Sequence, residues 1–300
     1  MSHSDAVSIY EVSLRDGLQN ESVFVDTEHK GHLFEMLQAA GLRRIELTSF
    51  VNPKWIPALA DAEALCAAVQ PRAGVMCSGL IPNARGFERA RASGLGEIAL
   101  ALSVSEMHNQ KNINRSVSDT LVEYAELVPQ IIEAGFRVRA YVSTVWGCPY
   151  EGPLEVSRAV AIGEKLLAMG CYQLSLGDTI GVATPVQTRT VLRAFRAGVG
   201  LEKVAMHMHD TRGTALANVL VGLEEGVRDF DASLGGLGGC PYAPGAAGNL
   251  CTEDLVYMLN GMGMSTGVEL PALVAAAKQA SSYVGRALPG KVHQAGAWPR

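Results

Sequence analysis

One unit of local sequence recurs along most of this chain and limits the folds open to it. A helix-forming stretch closes on a glycine, and a short apolar run follows. Gly41, Gly94, Gly135, Gly170 and Gly226 each stand just after such a helical stretch, the position at which helices commonly end. Repeated units of strand and helix predict a parallel sheet flanked by helices.

Eight runs qualify as strands, and most are apolar, as expected of strands buried on both faces. They are Val7–Val12, Arg44–Thr48, Gly74–Leu80, Glu97–Val104, Arg137–Val142, Gln173–Leu176, Val204–His209 and Phe230–Ser233. The clearest helical patterns between them are Glu28–Ala40, Ala58–Val69, Val117–Ala134, Leu154–Met169, Pro185–Ala197 and Ala215–Glu225. Eight such units predict an α/β fold, a closed (β/α)8 TIM barrel over residues 7–234. An open doubly wound sheet is the alternative, but neither GxGxxG nor a P-loop occurs.

The chain changes character after the last predicted strand. A glycine-rich loop containing Cys240 comes first, and C-terminal helices are expected at Glu253–Leu259 and Leu270–Ala287. This loop and these helices together span about residues 235–288, and we expect Pro289–Arg300 to be frayed. Because no linker or low-complexity tract interrupts the sequence, we predict a single catalytic domain over residues 1–300.

The composition excludes several classes of protein. The chain is 48% hydrophobic and 18% charged, so it is neither disordered nor fibrous. No run of about 18 apolar residues is free of charges, glycine or proline, and no secretory signal opens the sequence. The net charge of -5, without a block of lysine and arginine, argues against nucleic acid as a partner. Six scattered cysteines without a CxxC pair indicate reduced thiols, hence a cytoplasmic protein.

The predicted strand ends carry an unusual number of chemically active side chains, and a TIM barrel places its chemistry at those ends. The ionisable residues in or just after strands one, two, six and seven, and in the loop after strand eight, are Arg15, Asp16, Glu46, Asp178, His207, His209 and Cys240.

His207 and His209 form the most informative pair among them. Residues two apart on a strand point to the same face, so both imidazoles face one side. Two core histidines with ordinary partners are the alternative, but Asp16 and Asp178 at neighbouring strand ends would repel each other without a cation. This mixture of oxygen and nitrogen donors favours Mg²⁺ or Mn²⁺ over Zn²⁺, for which no cysteine cluster is available.

Arg15 and Cys240 each allow two interpretations. Arg15 either forms a local salt bridge or donates to a carboxylate or a developing oxyanion. The thiol of Cys240 either acts as an acid or nucleophile on a mobile loop, or fills apolar space. Cys148 repeats the local Gly-Cys-Pro-Tyr sequence without the glycine run, and we interpret it as structural. The remaining thiols, expected to be inert in apolar or helical surroundings, are Cys66, Cys77, Cys171 and Cys251.

In their order along the chain, these residues resemble the hydroxymethylglutaryl-CoA lyase family of the DRE-type TIM-barrel metallolyases. The matching stretches are Arg15-Asp-Gly-Leu-Gln-Asn-Glu21, Ile45-Glu-Leu-Thr-Ser-Phe-Val-Asn-Pro-Lys-Trp55, Lys111-Asn-Ile-Asn114, Gly147-Cys-Pro-Tyr-Glu-Gly152, Ser175-Leu-Gly-Asp-Thr-Ile-Gly181, His207-Met-His-Asp-Thr211, Ser233-Leu-Gly-Gly-Leu-Gly-Gly-Cys-Pro-Tyr242 and Gly248-Asn-Leu-Cys-Thr-Glu-Asp-Leu-Val-Tyr257. The resemblance spans about residues 7–290. The glycine-rich cysteine loop is its most specific part, because that loop separates the lyases from related condensing enzymes.

The resemblance implies an activity and a role for each site residue. The family cleaves 3-hydroxy-3-methylglutaryl-CoA to acetyl-CoA and acetoacetate with a divalent cation and no organic prosthetic group. The implied cation ligands are Asp16, His207, His209 and Asn249, and Asn249 rests on the resemblance alone. Arg15 is implied to stabilise the enolate oxygen and Cys240 to transfer a proton. Glu46 and Asp178 are implied to be further active-site acids.

Departures from the family pattern leave the acyl substituent of the substrate open. Ser13-Leu14 precedes the Arg-Asp pair where Gly-Pro is common, and Trp146 adds bulk near the barrel mouth. The alternatives are a lyase for a related hydroxyacyl-CoA, a 4-hydroxy-2-oxo acid aldolase, a synthase and a catalytically silent scaffold. For CoA itself, only weak candidates stand out, namely Lys54, Lys111 and Asn112. Family members commonly form homodimers, so a homodimer or higher homo-oligomer without nucleic acid or membrane partners is expected.

Overall fold

The protein, analysed as a computed structural model, is described over residues 6–239, 248–296 and 298. Eight parallel strands close into a barrel in which each strand pairs with its sequence neighbours and β1 pairs with β8. The strands are β1 Ser8–Glu11, β2 Arg44–Ser49, β3 Met76–Leu80, β4 Glu97–Ser103, β5 Arg137–Ser143, β6 Gln173–Asp178, β7 Val204–Met208 and β8 Asp229–Ala232. The predicted TIM barrel is confirmed, and every predicted strand is present.

Eleven helices are formed by the described residues. They are α1 Thr27–Ala39, α2 Ala62–Ala68, α3 Ala84–Ala90, α4 Glu106–Ile113, α5 Val117–Glu133, α6 Val156–Met169, α7 Pro185–Gly198, α8 Ala215–Glu225, α9 Thr252–Gly261, α10 Leu270–Val284 and α11 Val292–Ala295. Side-chain oxygens cap several of them; Thr184 and Gln187, for example, form a reciprocal capping box at α7. None of these helices is long and apolar enough to cross a membrane.

The Arg-Asp pair lies just after strand one, as expected; β1 ends at Glu11, and the pair lies on a π-helical turn over Ser13–Gly17. One local expectation is wrong. The C-terminal segment beyond Pro289 is not wholly frayed, because α11 forms there. The carboxylate of Asp254 accepts the backbone N–H groups of Lys291 and Val292, the latter at 2.7 Å. These bonds hold the segment against α9, and His293 is buried as a result.

The core has two parts with different chemistry. Apolar side chains fill the layer between strands and helices, as in Ile45, Leu100 and Leu174, all of which are fully buried. The barrel interior instead holds charged and aromatic groups, including the buried ion pair of Arg139 with Asp231. Buried charges are stable only when they are paired and hydrogen-bonded, so the polar side chains of the barrel interior form a connected network.

Candidate active site

Four side chains from different parts of the chain converge at the carboxyl ends of β1 and β7. Asp16 lies on the π-helical turn after β1, His207 lies within β7, and His209 follows that strand. Asn249 lies far along the chain, yet it forms an antiparallel bridge with His209. The four predicted cation ligands therefore meet at the edge of the barrel where TIM-barrel chemistry occurs.

The potential ligand atoms of this group are close together. Nε2 of His207 lies 3.3 Å from Nε2 of His209 and 3.9 Å from Oδ2 of Asp16. One ligand atom from each of these three residues falls within 4.8 Å of the other two. The side-chain amide of Asn249 donates to Oδ2 of Asp16 at 2.7 Å and to the Leu237 carbonyl at 3.1 Å.

The charge states of these groups suit a cation. Burial, reinforced by the charge of His207, lowers the pKa of His209 to about 4, so its imidazole is neutral at neutral pH. Burial alone would raise the pKa of Asp16, but Arg15 and the two histidines outweigh burial and hold it well below its usual range. The site thus presents one carboxylate and two imidazoles.

A buried acid fixes the orientation of one imidazole. Nδ1 of His207 lies 3.1 Å from Oδ2 of Asp231, which also accepts the hydroxyl of Ser175 at 2.7 Å. In the tautomer that donates from Nδ1 to Asp231, the Nε2 lone pair of His207 faces His209 and Asp16. Such carboxylate–histidine pairs are typical of metal sites. Two imidazole nitrogens and a carboxylate oxygen that face one another are donor types that a divalent cation accepts, so the donor set fits such a cation.

Arg15 lies beside this cluster and links it to Glu46. Its Nη1 donates to Asp16 at 2.5 Å and its Nε donates to Oε2 of Glu46 at 2.6 Å. The guanidinium stands 5.0 Å from the ring centroid of Tyr141, whose hydroxyl donates to the same Glu46 oxygen at 2.9 Å. Arg15 thus forms the local salt bridge with Asp16, and its pairing with Asp16 and Glu46 fixes a buried guanidinium at the barrel mouth.

Glu46 retains unused acceptor capacity. Its Oε1 atom has no hydrogen-bond partner within the described part of the chain, although the side chain is fully buried. Burial raises the pKa of Glu46, while Arg15 and the Tyr141 hydroxyl act in the opposite direction. A buried carboxylate oxygen without a partner is costly in an inert protein, so it marks a place where a ligand atom can be received.

Asp178 ends β6 and supports the loop that follows. Its two oxygens accept the backbone N–H groups of Val182 and Ala183 at 2.9 and 3.0 Å. Burial raises the pKa of Asp178 to about 6, although these N–H groups and the charges of Arg212 and His207 oppose the shift. Asp178 is not one of the three clustered ligands, but a buried acid with this pKa suits proton transfer near neutral pH.

The predicted acid Cys240 lies outside the described residues. The segments that flank it approach the cluster closely. At Gly238, which has a φ of +109°, an added Cβ would lie 2.6 Å from Nδ2 of Asn249. Leu237 accepts the hydrogen bond from Asn249 noted above, so the start of the glycine-rich loop is part of the wall around the cation ligands.

The remaining predicted residues lie apart from this cluster. Lys54 and Asn112 are exposed, and the exposed Lys111 places its Nζ 4.5 Å from the ring centroid of Tyr150. The thiol of Cys148 is buried and donates to the Ser105 hydroxyl at 2.9 Å, in keeping with a structural role. Burial raises the pKa values of the remaining non-loop thiols to about 12 at Cys66, Cys77 and Cys171.

Sequence reasoning missed two residues that orient the cluster, Asp231 and Tyr141. The ring of Tyr141 packs edge-on against His207, with centroids 5.6 Å apart. Both residues lie inside predicted strands, where polar side chains alternate with apolar ones in Asp229-Phe-Asp231 and Arg139-Ala-Tyr141. That alternation could have revealed a polar barrel interior.

Comparisons with known proteins agree along the whole chain. The family profile described as HMGL-like matches residues 6–279. A hydroxymethylglutaryl-CoA lyase of Bacillus subtilis is 47% identical to this chain over 291 residues, which cover 97% of each chain. The mitochondrial hydroxymethylglutaryl-CoA lyase of Bos taurus is 47% identical over 289 residues, which cover 96% of this chain and 89% of the bovine one. The solved structure of an HMG-CoA lyase from Acinetobacter baumannii, in complex with coenzyme A and 3-methylmalate, has a TM-score of 0.95 at 38% identity and covers 100% of this chain and 98% of that one. This chain belongs to the HMGL-like family, together with the hydroxymethylglutaryl-CoA lyases.

Proposed function

We propose that the protein is a divalent-cation-dependent carbon–carbon lyase that cleaves 3-hydroxy-3-methylglutaryl-CoA to acetyl-CoA and acetoacetate. The observation that carries this proposal is the convergence of Asp16, His207 and His209, with Arg15 held beside them. The name shared by relatives that are 47% identical supports the same activity. In the reaction the hydroxyl of C3 loses its proton, the C2–C3 bond breaks, and its electron pair passes into the thioester as an enolate.

A cation bound by Asp16, His207, His209 and Asn249 would polarise the substrate hydroxyl and favour loss of its proton. The donor set of oxygen and imidazole ligands supports Mg²⁺ or Mn²⁺, with Zn²⁺ as the alternative. Asp231 keeps the His207 ring in the orientation that this site needs.

Arg15 stabilises the enolate oxygen of the departing acetyl-CoA. Its guanidinium is buried and paired with Asp16 and Glu46, so its position is fixed before the substrate arrives. A fixed positive donor aimed at developing negative charge is an effective source of rate enhancement, because it needs no reorganisation during the reaction. Glu46 contributes by anchoring Arg15.

Asp178 takes the proton of the substrate hydroxyl. Of the two candidate bases, Asp16 has its pKa held well below the usual range and is a weak base, whereas the pKa of Asp178 is about 6. A base with a pKa near the working pH transfers protons most effectively. Cys240, carried on the glycine-rich loop, then supplies the proton that converts the enolate carbon to the methyl group of acetyl-CoA.

The partners follow from the same assignment. The substrate is an acyl-CoA, in line with the coenzyme A bound by the Acinetobacter relative, and Lys54, Lys111 and Asn112 are the side chains proposed to contact it. We also propose a homodimer or higher homo-oligomer, and a cytoplasmic enzyme, which suits the free state of the five cysteines among the described residues.

A product assay tests the proposal. Purified protein is incubated with 3-hydroxy-3-methylglutaryl-CoA and Mg²⁺ or Mn²⁺, and acetoacetate is followed with and without chelator. Chelator-sensitive release is expected, and it should be lost in His209→Ala. Binding of the cation without release would reject this substrate. Hydroxyacyl-CoA thioesters with other groups in place of the C3 methyl would then be compared.

A further inference from the structure

A second group of potential metal ligands lies behind the turn that follows β8. Cys251 precedes α9, Glu253 lies in its first turn, and His293 belongs to α11. All three are buried, with exposed fractions of 5%, 0% and 7%. One ligand atom from each lies within 4.8 Å of the other two. Cys251 thus does not have the inert, apolar surroundings that its sequence context predicts.

Two distances within this group match those between neighbouring ligand atoms of a zinc site. Sγ of Cys251 lies 3.3 Å from Oε2 of Glu253, and Nδ1 of His293 lies 3.5 Å from Oε1 of the same carboxylate. Zinc bonds of 2.0–2.3 Å to oxygen, nitrogen and sulfur in a tetrahedron separate neighbouring ligand atoms by about 3.3–3.6 Å. The measured separations fall in that interval.

His293 supplies an independent observation. Its Nδ1 atom points at the carboxylate but makes no hydrogen bond to any described residue, although the side chain is more than nine-tenths buried. A buried ring nitrogen without a partner is uncommon in a folded protein and calls for an explanation. A bound cation would satisfy Nδ1, since its lone pair then serves as a ligand.

Three chain segments hold the group in place. Both oxygens of Glu253 accept the backbone N–H of Gly235, at 2.8 and 3.1 Å. Gly290 closes the other side, where an added Cβ would lie 2.5 Å from Sγ of Cys251 and 2.9 Å from Nδ1 of His293. The absence of a side chain at Gly290 therefore leaves room beside both donor atoms.

We propose that Cys251, Glu253 and His293 form a second metal site, selective for Zn²⁺ and similar cations, that is separate from the site of Asp16, His207 and His209. The combination of thiolate, imidazole and carboxylate favours zinc, whereas the first site has only oxygen and nitrogen donors. On binding, the thiol proton of Cys251 is released to solvent and a metal–sulfur bond replaces it. The bound ion links α9 and α11 to Gly235, at the start of the glycine-rich loop.

Cobalt titration of the full-length chain tests this site without measuring activity. After chelator treatment, Co²⁺ is added, and a thiolate-to-cobalt charge-transfer band is sought in the near ultraviolet. The band should appear in the wild-type chain, disappear in Cys251→Ser and persist in Cys171→Ala, which removes a buried thiol just before β6. It should also persist in Cys240→Ala, so that a contribution from the loop thiol is distinguished.

Metal analysis and heating complete the test. The wild-type chain should bind one more equivalent of Zn²⁺ than Cys251→Ser, and Zn²⁺ should raise the melting temperature of the wild type more than that of the variant. His293→Gln is the second variant if Cys251→Ser does not fold, and near-ultraviolet circular dichroism checks both. Absence of the band in the wild type, its persistence in a folded Cys251→Ser or His293→Gln chain, or its loss in Cys240→Ala would overturn the proposal.

Discussion

Nδ1 of His207 lies 3.1 Å from Oδ2 of Asp231, a carboxylate that is itself buried inside the barrel and paired with Arg139. One acid therefore serves two purposes: it orients an imidazole at the barrel mouth and neutralises a buried guanidinium beneath it. Removing the charge of Asp231 would leave Arg139 without its counterion. A substitution at Asp231 should therefore weaken both metal binding and the stability of the fold.

Asp231→Asn should lower the affinity for Mn²⁺ by about 10- to 100-fold, as expected when the acid behind a ligating histidine is lost. It should also destabilise the fold by about 3–5 kcal/mol, because a buried charge loses its partner. Calorimetric titration with Mn²⁺ and denaturant unfolding measure the two effects. Asp229→Asn is the matched control, since Asp229 pairs with Arg44 and has no contact with His207 among the described residues. Unchanged Mn²⁺ affinity in folded Asp231→Asn would contradict the positioning role.

Arg15→Lys should lower kcat by about 10²- to 10³-fold, the usual effect of removing a preorganised donor from a developing oxyanion. Lysine keeps the charge beside Asp16 but cannot reproduce the two directed bonds of the guanidinium to Asp16 and Glu46. Mn²⁺ affinity should therefore change far less than turnover. Steady-state kinetics on the metal-saturated enzyme measure the effect, with Arg286→Lys, which alters an exposed pair, as the control. A variant with wild-type turnover would remove Arg15 from the reaction.

The pKa of Asp178, raised by burial to about 6, predicts the acidic limb of the pH profile. If its carboxylate is the base, kcat falls as the pH drops through about 6, and Asp178→Asn loses most activity over the whole range. The effect of Asp178 on the free energy of unfolding depends on pH in the opposite direction to its effect on kcat. Because the folded chain holds this proton more tightly than an ordinary aspartate with a pKa of 3.8, the contribution of Asp178 to stability declines as the pH rises from about 4 to 6.

Comparing Asp178→Asn with wild type separates these effects. Denaturant unfolding at about pH 4 and pH 6 should show that the free energy of unfolding falls less with rising pH in Asp178→Asn than in wild type. Asp119→Asn, which alters a carboxylate at the start of α5, is the control and should behave like wild type. If the acidic limb remains near pH 6 in an active Asp178→Asn enzyme, the base is a different group.

The barrel and much of the site could be predicted from local sequence. Because side chains two apart on a strand point to the same face, His207 and His209 are predicted to lie side by side. Asp16 is predicted to join them because it follows a strand at the end of the barrel where chemistry occurs. Asn249 could not be reached this way, because only the long return of the chain after the glycine-rich loop brings it beside His209. His293 is a similar case: its burial depends on the cap from Asp254, which local composition near a terminus does not reveal.

Cys240→Ala should lower turnover strongly while leaving Mn²⁺ affinity within a few-fold of wild type, because the thiol is assigned to proton transfer rather than to the cation. Cys148→Ser is the control thiol, held by Ser105 in a neighbouring loop. Full activity of Cys240→Ala would show that another group supplies the proton.

Two adjacent glycines at the start of the loop provide the sharpest test of how the loop supports the cation ligands. Gly238 has a φ of +109°, and a Cβ there would lie 2.6 Å from the Asn249 amide that bonds Asp16. A Cβ on Gly239 would meet no heavy atom of the described residues within 4 Å. Gly238→Ala should therefore displace Asn249 and weaken Mn²⁺ binding by about 10-fold, with strain of about 1–3 kcal/mol from the left-handed backbone. Gly239→Ala should bind Mn²⁺ like wild type. Equal affinities in the two variants would mean that the contact between Gly238 and the Asn249 amide does not support the cation site.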